Sequence, residues 1–126
     1  MSKEIIYSKN APDAIGPYSQ AIKSGNMLFV SGQIAIERAS GNIITHDINL
    51  ETKQVMTNLE FILAEAGMNF SQVVKSTIFL KNMSDFPKVN EIYGSFFKEN
   101  PPARETVEVS GLPKGVNVEI SCIAVK

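Results

Sequence analysis

A chain of 126 residues, 44% apolar and 20% charged, is long enough for one packed core and too short for two, so residues 1–126 are expected to form a single domain. Twelve basic against thirteen acidic residues leave a formal charge of −1 with no basic block or stripe, which argues against nucleic acid as a partner. No apolar run approaches the roughly 20 residues that span a bilayer, and the start MSKEIIYSKN lacks a signal-peptide core, so a cytoplasmic protein without membrane contact is expected.

In chain order, Lys3 to Tyr7 suits a short first strand, and Asn10, Pro12, Asp13, Gly16 and Pro17 make a turn-rich loop ending at Tyr18. Gln20 to Lys23 and Met27 to Ile34 read as a hairpin about Ser24-Gly25-Asn26, with Ser31 and Gly32 late in its second strand. Gly41 and Asn42 mark another turn. From Ile48 to Ala66 the spacing of Val55, Leu59, Ile62, Leu63 and Ala66 predicts a helix capped by Asp47 and closed by Gly67.

Val73 to Leu80 is β-branched and aromatic enough for a strand. A second helix is expected with Ser84 as cap and Val89, Ile92, Tyr93, Phe96 and Phe97 as one stripe, ended by Asn100-Pro101-Pro102. Glu105 to Val109 and Val116 to Val125 complete the set as strands, separated by Gly111, Pro113 and Gly115. The order predicts an α+β layer, a single mixed six-stranded sheet with two helices packed on one face. In the last strand Val118, Ile120, Cys122 and Ala124 share one face while Ile123 and Val125 join Glu119 and Ser121 on the other. Two helices cover only one face, so a second subunit is the expected cover for the other; isolated surface hydrophobes are the bland alternative.

Motifs for nucleotides, zinc and a serine-hydrolase elbow are absent. His46 has no cysteine partner nearby and Cys122 is the single cysteine, so neither a metal set nor an internal disulfide is expected. Cys122 suits a small buried hydrophobe better than a reactive thiol, and Phe61, Phe96 and Phe97 suit packing. What stands out is Pro101-Pro102-Ala103-Arg104, an arginine delivered by a rigid Pro-Pro segment into a strand, and Glu119 in the last strand. On the residues alone, an Arg and a Glu on neighbouring strands are more often a surface ion pair than a site.

At these residues the chain resembles the RidA/YjgF family of enamine/imine deaminases over nearly its whole length. The resemblance is carried by Ala14-Ile15-Gly16-Pro17-Tyr18-Ser19-Gln20, by Val30-Ser31-Gly32-Gln33-Ile34, and by Val89-Asn90 with Tyr93. It continues through Pro102-Ala103-Arg104, Val107, Ser110, Leu112 and Val118-Glu119-Ile120. It implies a chorismate-mutase-like homotrimer with sites between subunits, and hydrolysis of 2-aminoacrylate or 2-iminopropanoate-type intermediates to 2-oxo acids and ammonia. No cofactor and no metal are implied.

Carried over by the resemblance, Arg104 holds the substrate carboxylate and Glu119 orients or deprotonates the attacking water. Tyr18, Ser31, Gly32, Asn90 and Thr106 fall at substrate-binding positions. Their structural readings are a capped turn for Tyr18, a strand-end hydroxyl for Ser31, a bulge for Gly32 and a helix-surface amide for Asn90. Thr106 stands where many relatives carry cysteine, and Glu105 where a small residue is usual. Strand alternation predicts that Glu105 faces away from Arg104. The family also contains ligand-binding, regulatory, ribonuclease-like and chaperone-like members, which leaves a non-catalytic small-ligand module as the alternative.

Overall fold

The computed structural model describes residues 2–126. Its strands are β1 (Lys3–Ile6), β2 (Ala21–Ser24), β3 (Met27–Gln33), β4 (Val73–Leu80), β5 (Ala103–Glu108) and β6 (Val118–Val125), with helices α1 (Ile48–Glu65) and α2 (Phe86–Gly94). They form one mixed six-stranded sheet in the order β1-β2-β3-β6-β4-β5, in which β4 and β5 are parallel and every other pair is antiparallel. Strands β3 and β4 both run antiparallel to β6, hence parallel to each other, and α1 is their crossover; α2 is the crossover from β4 to β5. Both crossovers step the same way across the sheet, and crossovers of one hand that do so lay their helices on one face.

That face holds the core. Leu28 and Val30 of β3, Ile78 and Leu80 of β4, and Val118, Ile120, Cys122 and Ala124 of β6 are buried with Val55, Leu59, Ile62 and Leu63 of α1 and Val89 and Tyr93 of α2. The opposite face leaves Ile5, Met27 and Phe29 exposed.

Helix α1 begins as expected, the Asp47 carboxylate accepting from the Asn49 and Leu50 amides, and ends at Ala66 with Gly67 at φ +71. The second helix is shorter than its apolar stripe. Ser84 does not cap it but sits in the 3-10 turn Met83–Asp85, which leads directly into Phe86, and Pro87 occupies the first helical turn. Phe96 and Phe97 lie beyond its end, where they stack edge-on against Phe70. The periodicity therefore marks the buried side of a helix and the coil after it. Strand β5 starts at Ala103, earlier than the sequence suggests, so Arg104 is a strand residue with a fixed face.

Candidate active site

Two local irregularities build the Glu119 side. Between Val30, opposite Cys122, and Gln33, opposite Ile120, β3 carries one residue more than β6: a bulge at Ser31 and Gly32. It turns the Ser31 hydroxyl to donate to the Ser19 carbonyl at 2.7 Å and brings the Gly32 backbone against Glu119. A Cβ built on Gly32 would collide with the Glu119 carboxylate, so the bulge reading of Gly32 holds and the missing side chain leaves room for Glu119.

The second irregularity is the loop from Ser8 to Ser19. Buried Gln20 ties it down, its amide donating to the Ser8, Ala11 and Pro12 carbonyls and accepting from the Ser8 amide. Arg38 adds a second tie, donating to the Ala11 carbonyl and pairing with Asp13 at 2.8 Å, while Tyr7 donates to the same carboxylate. The Tyr7 hydrogen bond and the guanidinium hold Asp13 below its ordinary carboxylate range. The Tyr18 hydroxyl accepts from the Ile15 amide.

Together these segments enclose a cavity of about 570 Å³ that brings Tyr18, Ser31, Gly32 and Glu119 into one wall. Glu119 is half-buried, and burial pushes its carboxyl above the ordinary value.

Arg104 lies elsewhere. It pairs across β4–β5 with Ser76, which is buried under the helices, so it points to the helix face. There its guanidinium lies between the rings of Phe86 and Tyr93, 5.4 and 5.1 Å from their centroids, and donates to the Asn90 amide oxygen at 2.8 Å. Asn90, Tyr93, Phe97, Pro102 and Arg104 line a separate hollow of about 450 Å³. Thr106, also on this face of β5, has a buried hydroxyl without a hydrogen-bond partner and does not line that hollow.

Glu119, flanked in β6 by the buried Val118 and Ile120, points to the opposite face. Arg104 and Glu119 are not on neighbouring strands either, because β4 lies between β5 and β6. The seven residues singled out in the sequence thus fall on opposite faces of one sheet: Tyr18, Ser31, Gly32 and Glu119 at the cavity on one, Asn90 and Arg104 at the hollow on the other, with Thr106 on that face but outside the hollow. Glu105 turns away from Arg104, as strand alternation predicts, and pairs with Lys75 at 2.9 Å on the open face. Lys75 holds its carboxyl below the ordinary range.

Cys122 is buried, its thiol pushed up to about 12 by desolvation, which leaves no thiolate at neutral pH. Sequence reasoning missed the loop ties of Gln20 and Arg38, the aromatic clasp on Arg104, and Lys114. Lys114 lines the Glu119 cavity in a left-handed conformation, φ 56. Of these, a Phe and a Tyr seven residues apart on a helix, hence on one face, were the one signal available.

Among known proteins, the Endoribonuclease L-PSP family model matches residues 8–126. A RutC family protein of Pyrococcus horikoshii is 52% identical over 98% of each chain. The human protein named 2-iminobutanoate/2-iminopropanoate deaminase is 42% identical over 98% of this chain and 90% of its own length. Among solved structures, Escherichia coli TdcF with bound serine superposes with a TM-score of 0.94 at 37% identity, covering 98% of both chains.

Proposed function

The chain belongs to this family, known also as RidA/YjgF, and from that premise we propose that it hydrolyses 2-imino acids of the 2-iminobutanoate/2-iminopropanoate type to 2-oxo acids and ammonia. The observation that carries the reading is the pairing of chemistries in the two half-sites. One offers a preorganised guanidinium suited to a carboxylate, the other a half-buried carboxylate that Gly32 leaves room for at the wall of a cavity. The human deaminase supports the reaction, and the serine in TdcF carries the carboxylate that Arg104 would hold here.

In this mechanism Arg104 takes the substrate carboxylate through its planar fork. Asn90, Phe86 and Tyr93 keep that fork in place. Tyr18 and Ser31 bound the pocket, the missing side chain of Gly32 leaves room for the Glu119 carboxylate, and Glu119 removes a proton from the attacking water. The water oxygen bonds to C2 as the C=N π bond opens and its proton passes through Glu119 to nitrogen; the hydroxyl proton then follows to nitrogen, C=O forms, and the C–N bond breaks to release ammonia. A base with a raised pKa is the stronger base, and its desolvation serves that end. Thr106 takes no part in the proton transfers.

One chain cannot bring Arg104 to its own Glu119 through the sheet, so a complete site needs Arg104 of one copy against Glu119 of another. The exposed open face, with Ile5, Met27 and Phe29, is the surface for that contact. A contact between two different patches forms a ring where its rotation closes, and the family resemblance implies three copies. The test of activity is direct. Purified protein given 2-iminobutanoate made in situ by an amino-acid oxidase should accelerate 2-oxobutanoate and ammonia release over buffer, and a rate equal to buffer would refute the reading.

A further inference from the structure

In one chain, before another copy brings Arg104 to it, the Glu119 cavity is larger than a small imine requires. It encloses about 570 Å³, whereas the roughly six non-hydrogen atoms of 2-iminopropanoate fill under about 200 Å³ at about 30 Å³ per water-sized group. Besides the polar Asp13, Tyr18, Gln20 and Gln33, the walls carry an aliphatic stretch formed by Ile15, Ile34, Ile36 and Pro113. Ile15 is 70% exposed, apolar surface that a ligand chain would cover.

Lys114 adds a cation to this wall, and its placement is costly. At φ 56 and ψ 21 it holds a left-handed conformation that disfavours any residue with a Cβ, and Gly115 follows at φ 67. The turn is held at its exit. Val116 is buried, the Lys81 amide donates to the Asn117 carbonyl, and the fully buried Glu51 carboxylate accepts from the Asn117 amide and side chain and from the Val118 amide. Glu51 therefore makes the segment between Lys114 and Glu119 rigid. Among the described residues the Lys114 ammonium has no ion-pair or hydrogen-bond partner. Asp13, the other charged side chain besides Glu119 in the cavity wall, is already held by Arg38 and Tyr7.

We propose that this cavity is a side-chain subsite for 2-imino acids bearing a second carboxylate, the aliphatic stretch taking the methylenes and Lys114 the distal anion. The inference rests on the deaminase reading of the Glu119 site and adds no new step: water still adds at C2 and ammonia still leaves. The test compares 2-iminoglutarate with 2-iminobutanoate, each made in situ by an amino-acid oxidase, and in parallel the calorimetric affinities of the inert 2-oxoglutarate and 2-oxobutanoate. The wild-type protein should favour the dicarboxylic member of each pair. Lys114→Gln should lower the kcat/KM ratio and the affinity ratio about tenfold, and Lys114→Arg should restore both. Ratios unmoved by Lys114→Gln, or no dicarboxylate preference in the wild type, would overturn the subsite. If neither imine is turned over, the deaminase reading fails, and the affinity ratio alone then decides the subsite.

Discussion

The two half-sites solve opposite problems of side-chain placement. Arg104 is surrounded by partners: two aromatic rings, an amide oxygen and the regular register of a parallel strand pair hold it in one orientation. Glu119 is defined by what is missing around it, since a glycine leaves room for its carboxylate and burial withholds the water that would stabilise its charge. A binding group gains from contacts that fix it before the ligand arrives, whereas a base gains from incomplete solvation. The Arg104 side should therefore be read in affinity and the Glu119 side in turnover.

The largest effect that would break this division is at Arg104 itself. Arg104→Ala should cost on the order of 2–5 kcal/mol in kcat/KM, because the substrate carboxylate loses its charged partner; steady-state kinetics on a variant with unchanged circular dichroism would check it. Glu119→Gln should lower kcat by about a hundredfold to ten-thousandfold while titration calorimetry finds near-normal affinity for 2-oxobutanoate. A loss of affinity equal to the loss of rate would assign Glu119 to binding instead.

The Glu119 carboxylate also carries a pH signature. Its folded pKa lies above the ordinary value, so burial favours the protonated form and costs stability once the pH rises above that range. Activity should fall as the pH drops through the raised pKa, and at neutral pH Glu119→Gln should melt at the same temperature or slightly higher.

Gly32→Ala sharpens the contrast further. Its Cβ would displace the Glu119 carboxylate, and a tenfold to hundredfold fall in kcat is expected with little change in ligand affinity. The smallest effect belongs to Glu105, whose ion pair with Lys75 is exposed on the open face. Glu105→Ser should keep kcat/KM within a few-fold, in line with the small worth of such pairs. A tenfold fall in KM would instead mean that Glu105 competes with substrate for Arg104.

Much of this arrangement was legible in the sequence, but not its division. Alternation in β6 correctly separates Glu119 from Ile120, because a strand buried on one face shows its period in its own residues. The face of Arg104 depends on where β5 begins and on its parallel register with β4, both set by contacts distant in sequence. The insertion of β6 between β3 and β4 is likewise a matter of long-range pairing, which made Arg104 and Glu119 look like strand neighbours. The bulge at Ser31 and Gly32 was foreseen as a possibility through its glycine. The positive φ of Lys114 was not, because nothing in a lysine side chain announces it.

The central claim, that Arg104 and Glu119 serve one site from different copies, is tested most directly by complementation. Arg104→Ala and Glu119→Gln proteins, each with at most a few per cent of wild-type activity alone, are unfolded, mixed in equal amounts, refolded together and assayed for imine hydrolysis. If sites lie between copies of a closed ring, random mixing makes about one site in four intact, and about a quarter of wild-type activity returns. No recovery in a mixture whose size and circular dichroism match the wild type would place both residues in the site of a single chain and contradict the account.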